Sequence, residues 1–297
     1  MKKGLKRPLE LAIEIASSKP YTISFSEGHE PRIVEAAVEA VNLGIAKIIL
    51  VGKVEKVKHQ LAKYPCSYPD RIKIHDPIRS SLIKEFSKSY YELRKHKGIT
   101  YKDAKKQATS NLVYAALLVK NGHADGTLSG AVETTSNVVK TAIWVLGKAT
   151  QVKTVSSCFL IFPKSHEPMI YADCGLVIEP NDEELVDITI AASQSCKSLL
   201  NTDPRIALLS FSTKGSAKHR NTDKILLALK KLKSLEPELL VDGELQFDAA
   251  IDSAVGKIKA PESKVAGTAN VMIFPNLDAG NIAYKITQRL GNADAYG

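Results

Sequence analysis

Residues 21–52 read YTISFSEGHEPRIVEAAVEAVNLGIAKIILVG, and this stretch predicts a strand, a helix and a second strand. Residues 21–25 and 46–52 are rich in the β-branched and aromatic residues that favour strands. Between them, residues 31–44 carry apolar side chains at helical spacing and end at Gly44, a residue type that often terminates helices. A strand, a helix and a strand in this order form the unit from which parallel sheets are built.

The same alternation continues along the sequence and predicts an α/β fold with mainly parallel sheets and flanking helices. Further strands are predicted at residues 71–75, 155–163, 168–174, 206–209 and 269–275. Further helices are predicted at residues 53–63, 181–200, 223–235 and 279–291. The two strands on either side of the short polar segment KSHE indicate a hairpin. A boundary near residue 150 gives two α/β domains, residues 1–150 and 151–297.

The composition is that of an ordinary globular protein, with 44% apolar and 25% charged residues in 297 positions. No apolar run in the sequence approaches the ~18 residues needed to span a bilayer. Glu10 and Glu14 interrupt the apolar positions near the start, which predicts an amphipathic helix rather than a signal peptide. The 4 cysteines have no C-x-x-C spacing, which indicates a reducing compartment without structural zinc. We therefore expect a cytoplasmic protein.

The net charge of +9 is concentrated in residues 79–106, which carry nine Lys or Arg residues against three acids. A solvated helix face is the usual outcome for such a segment. A nucleic-acid surface is the second interpretation, but the segment has no recognised binding motif and few aromatic residues. The third interpretation is a site for a small polyanion, which a nucleotide-bearing substrate would satisfy.

A polar loop follows the strand predicted at residues 206–209. Residues 205–219 read RIALLSFSTKGSAKH, so an apolar strand opens into hydroxyl side chains, one glycine and Lys214. Free backbone N–H groups, hydroxyl donors and an ammonium group can bind an oxyanion where a strand leads into a helix. A plain polar loop is the alternative interpretation, and it is the more frequent one for an isolated stretch of this kind.

Two further loops have a similar composition. Residues 124–137 place small or hydroxyl-bearing residues before a predicted helix, namely Ser129, Gly130, Thr134 and Thr135. Residues 276–289 place polar side chains on one face of a helix, namely Asn281, Tyr284 and Lys285. Because ligands of open α/β sheets bind at the carboxyl ends of strands, three such loops predict a common cleft.

Several familiar motifs are absent from the sequence. It contains no G-x-G-x-x-G, and residues 145–150 have Gly-Lys without the other residues of a P-loop. The two His-Glu pairs are each followed by proline and lack the second histidine of a zinc protease. Cys158 and Cys174 lie in apolar surroundings, which favours unreactive buried thiols.

Five segments together resemble the phosphate acetyltransferase family. They read FSEGHEPRIVEAA, DGTLSGAVETTSNVVKTA, ALLSFSTKGSAKH, DGELQFDAA and KAPESKVAGTANVMIFPNLDAGNIAYKITQRLG. The resemblance is nearly collinear from about residue 20 to residue 297. The related phosphate butyryltransferases share the architecture, but the third and fourth segments look more like the acetyltransferases.

The resemblance implies a fold like that of isocitrate and isopropylmalate dehydrogenases, with an active site in the cleft between two α/β domains. It also implies a homodimer that acts on acetyl-CoA, phosphate and acetyl phosphate, with CoA as a substrate and no metal. In the family's reaction the CoA thiol, deprotonated by a base, attacks the acetyl carbonyl directly. Such a reaction needs a fixed phosphate, an aimed thiol and donors for the developing oxyanion.

The resemblance also implies roles for individual residues. The positions that match blocks lining the acyl-phosphate pocket are Ser129, Gly130, Thr134, Thr213, Lys214, Gly215, Ser216, Asn281, Tyr284 and Lys285. Arg94 matches an arginine associated with CoA, and Lys140 stands where family members usually have an arginine. A lysine keeps the charge but loses the two-pronged guanidinium contact, so we expect weaker binding of CoA or phosphate.

The assigned catalytic groups of the family lie in or near an N-D-L-S-R-G motif that this sequence does not contain. Family members continue past the equivalent of Gly297 into the segment that carries the motif. No residue of this chain is therefore predicted to be catalytic, and we expect slow turnover and a first domain without its C-terminal return. One alternative is a non-catalytic remnant that binds CoA or acyl phosphate. The other is a basic nucleic-acid-binding protein.

Overall fold

The computed structural model describes residues 8–150 and 152–297. The described residues form two compact units, one ending at Lys148 and the other beginning at Ala149. Each unit has its own β-sheet with helices packed against it.

The described residues of the first unit form a four-stranded sheet. Its strands are β1 (Tyr21–Phe25), β2 (Ala46–Val51), β3 (Ile72–His75) and β4 (Gly126–Leu128). They lie in the order β3-β2-β1-β4, and all neighbours are parallel. The predicted parallel arrangement of β1 and β2 is thus confirmed. The strand predicted from residue 71 begins one residue later, because Arg71 ends a short 3₁₀ helix, Pro69–Arg71.

Helices cover both faces of this sheet. The described helices of this unit are α1 (Pro8–Ser18), α2 (Pro31–Asn42), α3 (Val54–Leu61), α4 (Ile83–Arg94), α5 (Tyr101–Ala108), α6 (Asn111–Lys120) and α7 (Thr135–Val145). A second 3₁₀ helix, Lys95–Lys97, follows α4. α6 is apolar on every side and its residues 112–118 are all buried, so it forms the centre of this layer.

The core of the first unit is built around β2, whose side chains are apolar on both faces. Ile48 and Leu50 pack on the face covered by α2 and α3. Ile49 and Val51 pack on the opposite face together with Tyr114 of α6. A strand buried on both sides is typical of parallel sheets, and it explains the unbroken apolar run in this part of the sequence.

The described residues of the second unit form a six-stranded sheet. Its strands are β5 (Phe159–Phe162), β6 (Met169–Ala172), β7 (Ile206–Leu209), β8 (Val241–Leu245), β9 (Val271–Ile273) and β10 (Asp294–Tyr296). They lie in the order β10-β5-β6-β9-β7-β8. β5 is antiparallel to both β10 and β6, and the remaining neighbours are parallel. The predicted hairpin of β5 and β6 is confirmed.

Helices pack on both faces of this sheet as well. They are α8 (Asp182–Ser195), α9 (Arg220–Leu235), α10 (Phe247–Ile251), α11 (Ser253–Lys259) and α12 (Leu277–Arg289), and a π-helical turn, Cys196–Leu200, extends α8. Asn181 caps α8 and forms a reciprocal capping box with Glu184, which fixes where the helix begins. Ile206 and Leu208 of β7 face α8 and α9, whereas Ala207 and Leu209 face the opposite layer.

Candidate active-site loops

In the first unit, polar residues follow β1 and β4 at the same edge of the sheet. Ser26 and Glu27 come directly after β1 and are buried, and Ser129 and Gly130 come directly after β4. β1 and β4 are parallel neighbours, so their carboxyl ends lie side by side. The hydroxyl of Ser26 donates to that of Ser129, with an Oγ–Oγ distance of 2.8 Å. The Ser129 hydroxyl therefore keeps its own proton for donation to another acceptor.

The segment between β4 and α7 is folded around the carboxylate of Glu27. Gly130 and Ala131 donate their backbone N–H groups to Oε2 at 3.1 and 2.9 Å. Val132 and Glu133 donate theirs to Oε1 at 2.8 and 2.7 Å. Burial alone would raise the pKa of Glu27, but the four N–H groups outweigh it and hold the pKa below its ordinary value. The backbone donors predicted to hold an oxyanion thus already hold a carboxylate of the chain itself.

Gly130 and Thr134 have clear structural roles in this segment. Gly130 has φ of +111°, a conformation that side-chain-bearing residues rarely adopt. Thr134 is exposed and caps α7, because its hydroxyl accepts the N–H of Asn137 at 3.3 Å. Sequence reasoning missed Glu27 as the partner of this segment, although its place directly after a strand was a usable signal.

Arg32 of α2 also contacts this segment. Its Nη2 donates to the carbonyl of Ala131 at 2.9 Å, and its Nε donates to Glu30 at 2.5 Å. The Arg32 side chain is 68% exposed, so much of the guanidinium still faces solvent. This arrangement adds a positive group beside Ser129 that the sequence did not single out.

A separate cavity of about 170 Å³ lies at the carboxyl ends of β1, β2 and β3. The sequence-predicted site residues do not line it. The residues that do line it are His29, Lys53, Lys56, Asp76, Pro77, Ile78, Thr109 and Asn111. It therefore lies beside, and not within, the group of residues around Ser129.

The two residues predicted to serve CoA meet at one aromatic ring. Arg94 ends α4, and its guanidinium carbon lies 4.2 Å from the ring centroid of Trp144. Lys140 lies one helical turn before Trp144 on α7, with its Nζ 4.4 Å from the ring centroid. The structure thus brings Arg94 and Lys140 together, and it adds Trp144, which sequence reasoning did not select.

In the second unit, the loop after β7 is attached to β8. Lys214 has φ of +49° and Gly215 has φ of +83°, which turns the loop sharply. The Lys214 ammonium forms an ion pair with Asp242 and donates to the carbonyl of Gly243 at 3.0 Å. Burial raises the pKa of Asp242, but Lys214 and other donors outweigh it and leave the pKa below its ordinary value. Lys214, which is predicted to bind phosphate, therefore also holds this loop in place.

Glu244 of β8 organises the rest of this loop. Its Oε1 accepts the N–H of Gly215 at 2.7 Å and the hydroxyl of Ser212 at 2.9 Å. The hydroxyls of Ser212 and Ser216 are 3.1 Å apart, and the N–H of Thr213 donates to Ser216 Oγ at 3.1 Å. Glu244 thus holds residues 212–215 from β8, much as Glu27 holds the segment after β4 in the first unit.

A third buried carboxylate, Asp173, follows β6. It accepts the N–H groups of Gly175 and Leu176 at 2.7 and 2.9 Å. It also accepts both the N–H and the hydroxyl of Ser157, at 2.9 and 2.6 Å. Because Ser157 donates to a side chain and not to a neighbouring strand, β5 begins at Phe159, later than the strand predicted from residue 155.

α12 packs against this turn and carries the remaining predicted residues. The side-chain amide of Asn281 donates to the carbonyl of Cys174 at 3.1 Å. Tyr284 stacks on Phe159 of β5, with ring centroids 4.0 Å apart and an interplanar angle of 18°. Lys285 is exposed, and its Nζ lies 5.8 Å from the Tyr284 ring centroid. Asn281 and Tyr284 are thus engaged with Cys174 and Phe159, whereas the ammonium group of Lys285 faces solvent.

Three of the four thiols lie in surroundings that disfavour a nucleophile. Cys174 and Cys196 are buried, and burial raises the pKa of both, that of Cys196 to about 11. Burial also raises the pKa of Cys158. A raised pKa disfavours the reactive thiolate, which agrees with the prediction that Cys158 and Cys174 are unreactive.

Residues 8–150 and 152–297 contain neither a cluster of metal-ligating side chains nor a helix that could span a membrane. Within these ranges, no three or more His, Cys, Asp or Glu side chains are grouped as metal ligands would be. In the same part of the chain, no helix has both the length and the apolar character needed to cross a bilayer.

Comparison with known proteins extends over nearly the whole chain. Residues 9–297 match the family described as Phosphate acetyl/butaryl transferase. The phosphate acetyltransferase of Acetivibrio thermocellus is 42% identical over 294 residues, covering 97% of this chain and 88% of the relative. A phosphotransacetylase structure from Streptococcus pyogenes matches with a TM-score of 0.90 and 37% identity, covering 98% of this chain and 88% of that one. The EutD phosphotransacetylase from Staphylococcus aureus matches with a TM-score of 0.86 and 36% identity, covering 98% and 88%.

Fold and sequence together place the chain among the acyl-transferring enzymes. It belongs to the Phosphate acetyl/butaryl transferase family. The predicted family resemblance and the predicted α/β fold class are therefore confirmed. The residue roles taken from that resemblance stay predictions.

Proposed function

We propose that this chain transfers an acetyl group reversibly between CoA and inorganic phosphate. The observation that carries the proposal is the 42% identity to a phosphate acetyltransferase across 97% of the chain. The polar loops after β1, β4 and β7 support it, because they offer hydroxyl and cationic groups suited to an acyl phosphate.

In the direction of acetyl-CoA formation, the CoA thiolate attacks the acetyl carbonyl of acetyl phosphate. A carbon–sulfur bond forms, the carbon–oxygen bond to phosphate breaks, and inorganic phosphate leaves with the bonding electrons. The proton of the thiol passes to a base, which we assign to no residue of this chain. Hydrogen-bond donors near the carbonyl oxygen would stabilise the negative charge that develops there.

The acyl-phosphate contacts in the first unit are assigned to side chains and not to the backbone. The N–H groups of residues 130–133 donate to Glu27, whereas Ser129 keeps a hydroxyl proton and Arg32 remains largely exposed. Ser129 and Thr134 supply the proposed hydroxyl contacts in this segment, and Gly130, whose N–H donates to Glu27, is the proposed position that shapes the turn between them. Arg32 adds a positive charge next to them.

The acyl-phosphate contacts in the second unit are assigned to Thr213, Lys214, Gly215, Ser216 and the exposed Lys285. An ammonium group has three N–H donors, and that of Lys214 uses two of them on Asp242 and Gly243. The third donor can meet a phosphate oxygen without breaking the ion pair. Asn281 and Tyr284 belong to the same proposed group.

CoA binding is assigned to Arg94 and Lys140. Neither side chain takes part in an ion pair within residues 8–150 and 152–297. Both positive charges are therefore available to the phosphate groups of a nucleotide. We further propose a metal-independent homodimer, as the family resemblance implies, in the cytoplasm, as the cysteine spacing indicates.

The test is formation of acetyl-CoA from acetyl phosphate and CoA by the purified chain. Butyryl phosphate in place of acetyl phosphate separates the acetyl preference from that of the related butyryltransferases. CoA binding measured by calorimetry, together with no acetyl-CoA formation, would instead support a binding protein without catalysis. Absence of both CoA binding and turnover would contradict the proposal.

A further inference from the structure

Trp144 is the one tryptophan of the sequence. Two cationic side chains lie against its ring. Arg94 approaches it from α4 and Lys140 approaches it from the preceding turn of α7. The indole is partly exposed. A cation over an aromatic face is attracted by the negative face of the ring, and tryptophan gives the strongest attraction of this kind.

This arrangement brings two positive charges to one indole ring. Arg94 and Lys140 lie within 4.2 and 4.4 Å of the same indole, and neither forms an ion pair among the described residues. Two positive charges held against one ring repel each other, and binding of an anion to them relieves the repulsion. The indole holds both long side chains in place while leaving their charges uncompensated.

We propose that Trp144 is a positioning residue for CoA, because it fixes the Arg94 guanidinium and the Lys140 ammonium for an anionic phosphate group of the nucleotide. The inference rests on the proposed function and adds to it a residue that acts through two others. A guanidinium stacked on a ring loses less side-chain freedom when it binds phosphate, which favours affinity.

The test compares two substitutions that differ in the aromatic face. Trp144→Phe keeps a ring, whereas Trp144→Leu removes it. A cation–π contact at an exposed site is worth a factor of about 2 to 5 in an equilibrium constant. We expect Trp144→Leu to raise the Kd for CoA about 3- to 30-fold, and Trp144→Phe to stay within about 3-fold of wild type.

Three further readouts separate positioning from a merely structural role. The KM for CoA should rise in Trp144→Leu, while kcat and the KM for acetyl phosphate stay within about 2-fold. The preference for CoA over dephospho-CoA, which lacks the 3′-phosphate, reports whether the two cations meet that group. The dependence of Kd on salt should become weaker in Trp144→Leu, because fewer ionic contacts are made.

A matched control lies elsewhere in the same unit. The guanidinium of Arg71 lies 4.8 Å from the ring centroid of Tyr68, so Arg71→Ala removes a cation–π contact that does not involve Trp144. It should leave the Kd for CoA unchanged. Because Trp144 is the single tryptophan, its fluorescence should change when CoA is added to wild type and should change less in Arg94→Ala.

The outcomes separate this inference from the proposed function. If wild type fails to bind CoA, the proposed function itself is contradicted. If wild type binds CoA and Trp144→Leu binds it equally tightly with the same salt dependence, only the role of Trp144 is wrong. A Leu variant whose kcat falls while its KM for CoA is unchanged would also overturn the positioning role.

Discussion

At the residue scale, buried carboxylates take the place that a bound anion would take. Glu27, Asp173 and Glu244 each accept backbone N–H groups of the loop that they hold. Charge-assisted hydrogen bonds of this kind are stronger than neutral ones, and they order a loop before any substrate arrives. These loops are therefore preorganised by the chain itself, and side chains on them are left to meet the ligand.

Glu27→Gln should weaken the first unit and disturb the loop after β4. The amide has one acceptor oxygen where the carboxylate has two, so we expect a loss of about 2 kcal/mol in the free energy of unfolding. The pKa of Glu27 is lowered in the folded state, so its contribution is present above the ordinary carboxyl pKa of about 4.3. That contribution is lost as the pH falls through the folded-state pKa.

Urea unfolding measures the free energy of unfolding of wild type and Glu27→Gln. The measurement is made at pH 7 and at a series of values down to pH 3. The difference in free energy of unfolding between wild type and Glu27→Gln should become smaller as the pH falls. Glu55→Gln is the control, because that carboxylate and its ion-pair partner Arg79 are both exposed, so its contribution should be small at every pH. If this difference does not change with pH, or if it equals the difference for Glu55→Gln, the charge of Glu27 does not hold the loop.

Lys214→Ala should lower the affinity for acetyl phosphate and also destabilise the second unit. The substitution leaves Asp242, whose side chain is 10% exposed, without its cation, which should cost about 1–3 kcal/mol. Inhibition by inorganic phosphate and the KM for acetyl phosphate measure the first effect, and urea unfolding measures the second. Lys218→Ala, in the same loop and exposed, is the control. Unchanged phosphate affinity in Lys214→Ala would leave this lysine with a structural role alone.

At the element scale, the approach of α12 to the end of β6 depends on a glycine. A Cβ built on Gly280 would lie 2.3 Å from the carbonyl oxygen of Asp173. No side chain fits in this space, so the helix backbone lies directly on the turn that Asp173 holds. Asn281 and Tyr284 reach Cys174 and Phe159 from this position.

Gly280→Ala should therefore destabilise the protein, although the same change inside an ordinary helix stabilises it by about 0.5–1 kcal/mol. The new methyl group must push α12 away from β6, which should cost about 1–3 kcal/mol. The midpoint temperature of thermal unfolding measures this effect, and we expect it to be lower in Gly280→Ala than in wild type. A raised midpoint would mean that α12 does not pack this closely.

The sequence predicted most elements, and it failed where local pattern does not reflect the fold. β8 reads VDGEL and is buried, but Asp, Gly and Glu are unfavourable strand residues, so it escaped prediction. β4 and β10 have three residues each, which is too short for a periodic signal. The predicted polar loops were found at strand ends, since strand and loop composition are local properties.

The contacts that shape the candidate site could not be predicted in the same way. Glu27 is 103 positions from Gly130, and Lys214 is 28 positions from Asp242. Such residues come together because of the order of the strands in the sheet. That order cannot be read from the spacing of residues in the sequence. Trp144 was missed for the same reason, because its meeting with Arg94 joins two helices that are distant in sequence.

At the scale of the whole molecule, the family resemblance implies a homodimer. Sedimentation of the purified chain should give twice the mass of one chain at micromolar concentration. A monomer that still forms acetyl-CoA would show that the proposed dimer is not needed for the reaction. The same preparation should keep its activity after treatment with a metal chelator, since the proposed reaction uses no metal.

The proposed reaction transfers acetyl groups between CoA and phosphate. The direct measurement is the rate at which the purified 297-residue chain forms acetyl-CoA from acetyl phosphate and CoA. We expect a rate that is proportional to protein concentration, requires both substrates, and falls in Lys214→Ala more than in Lys218→Ala. A rate indistinguishable from that without protein, under conditions where calorimetry shows CoA bound, would contradict it.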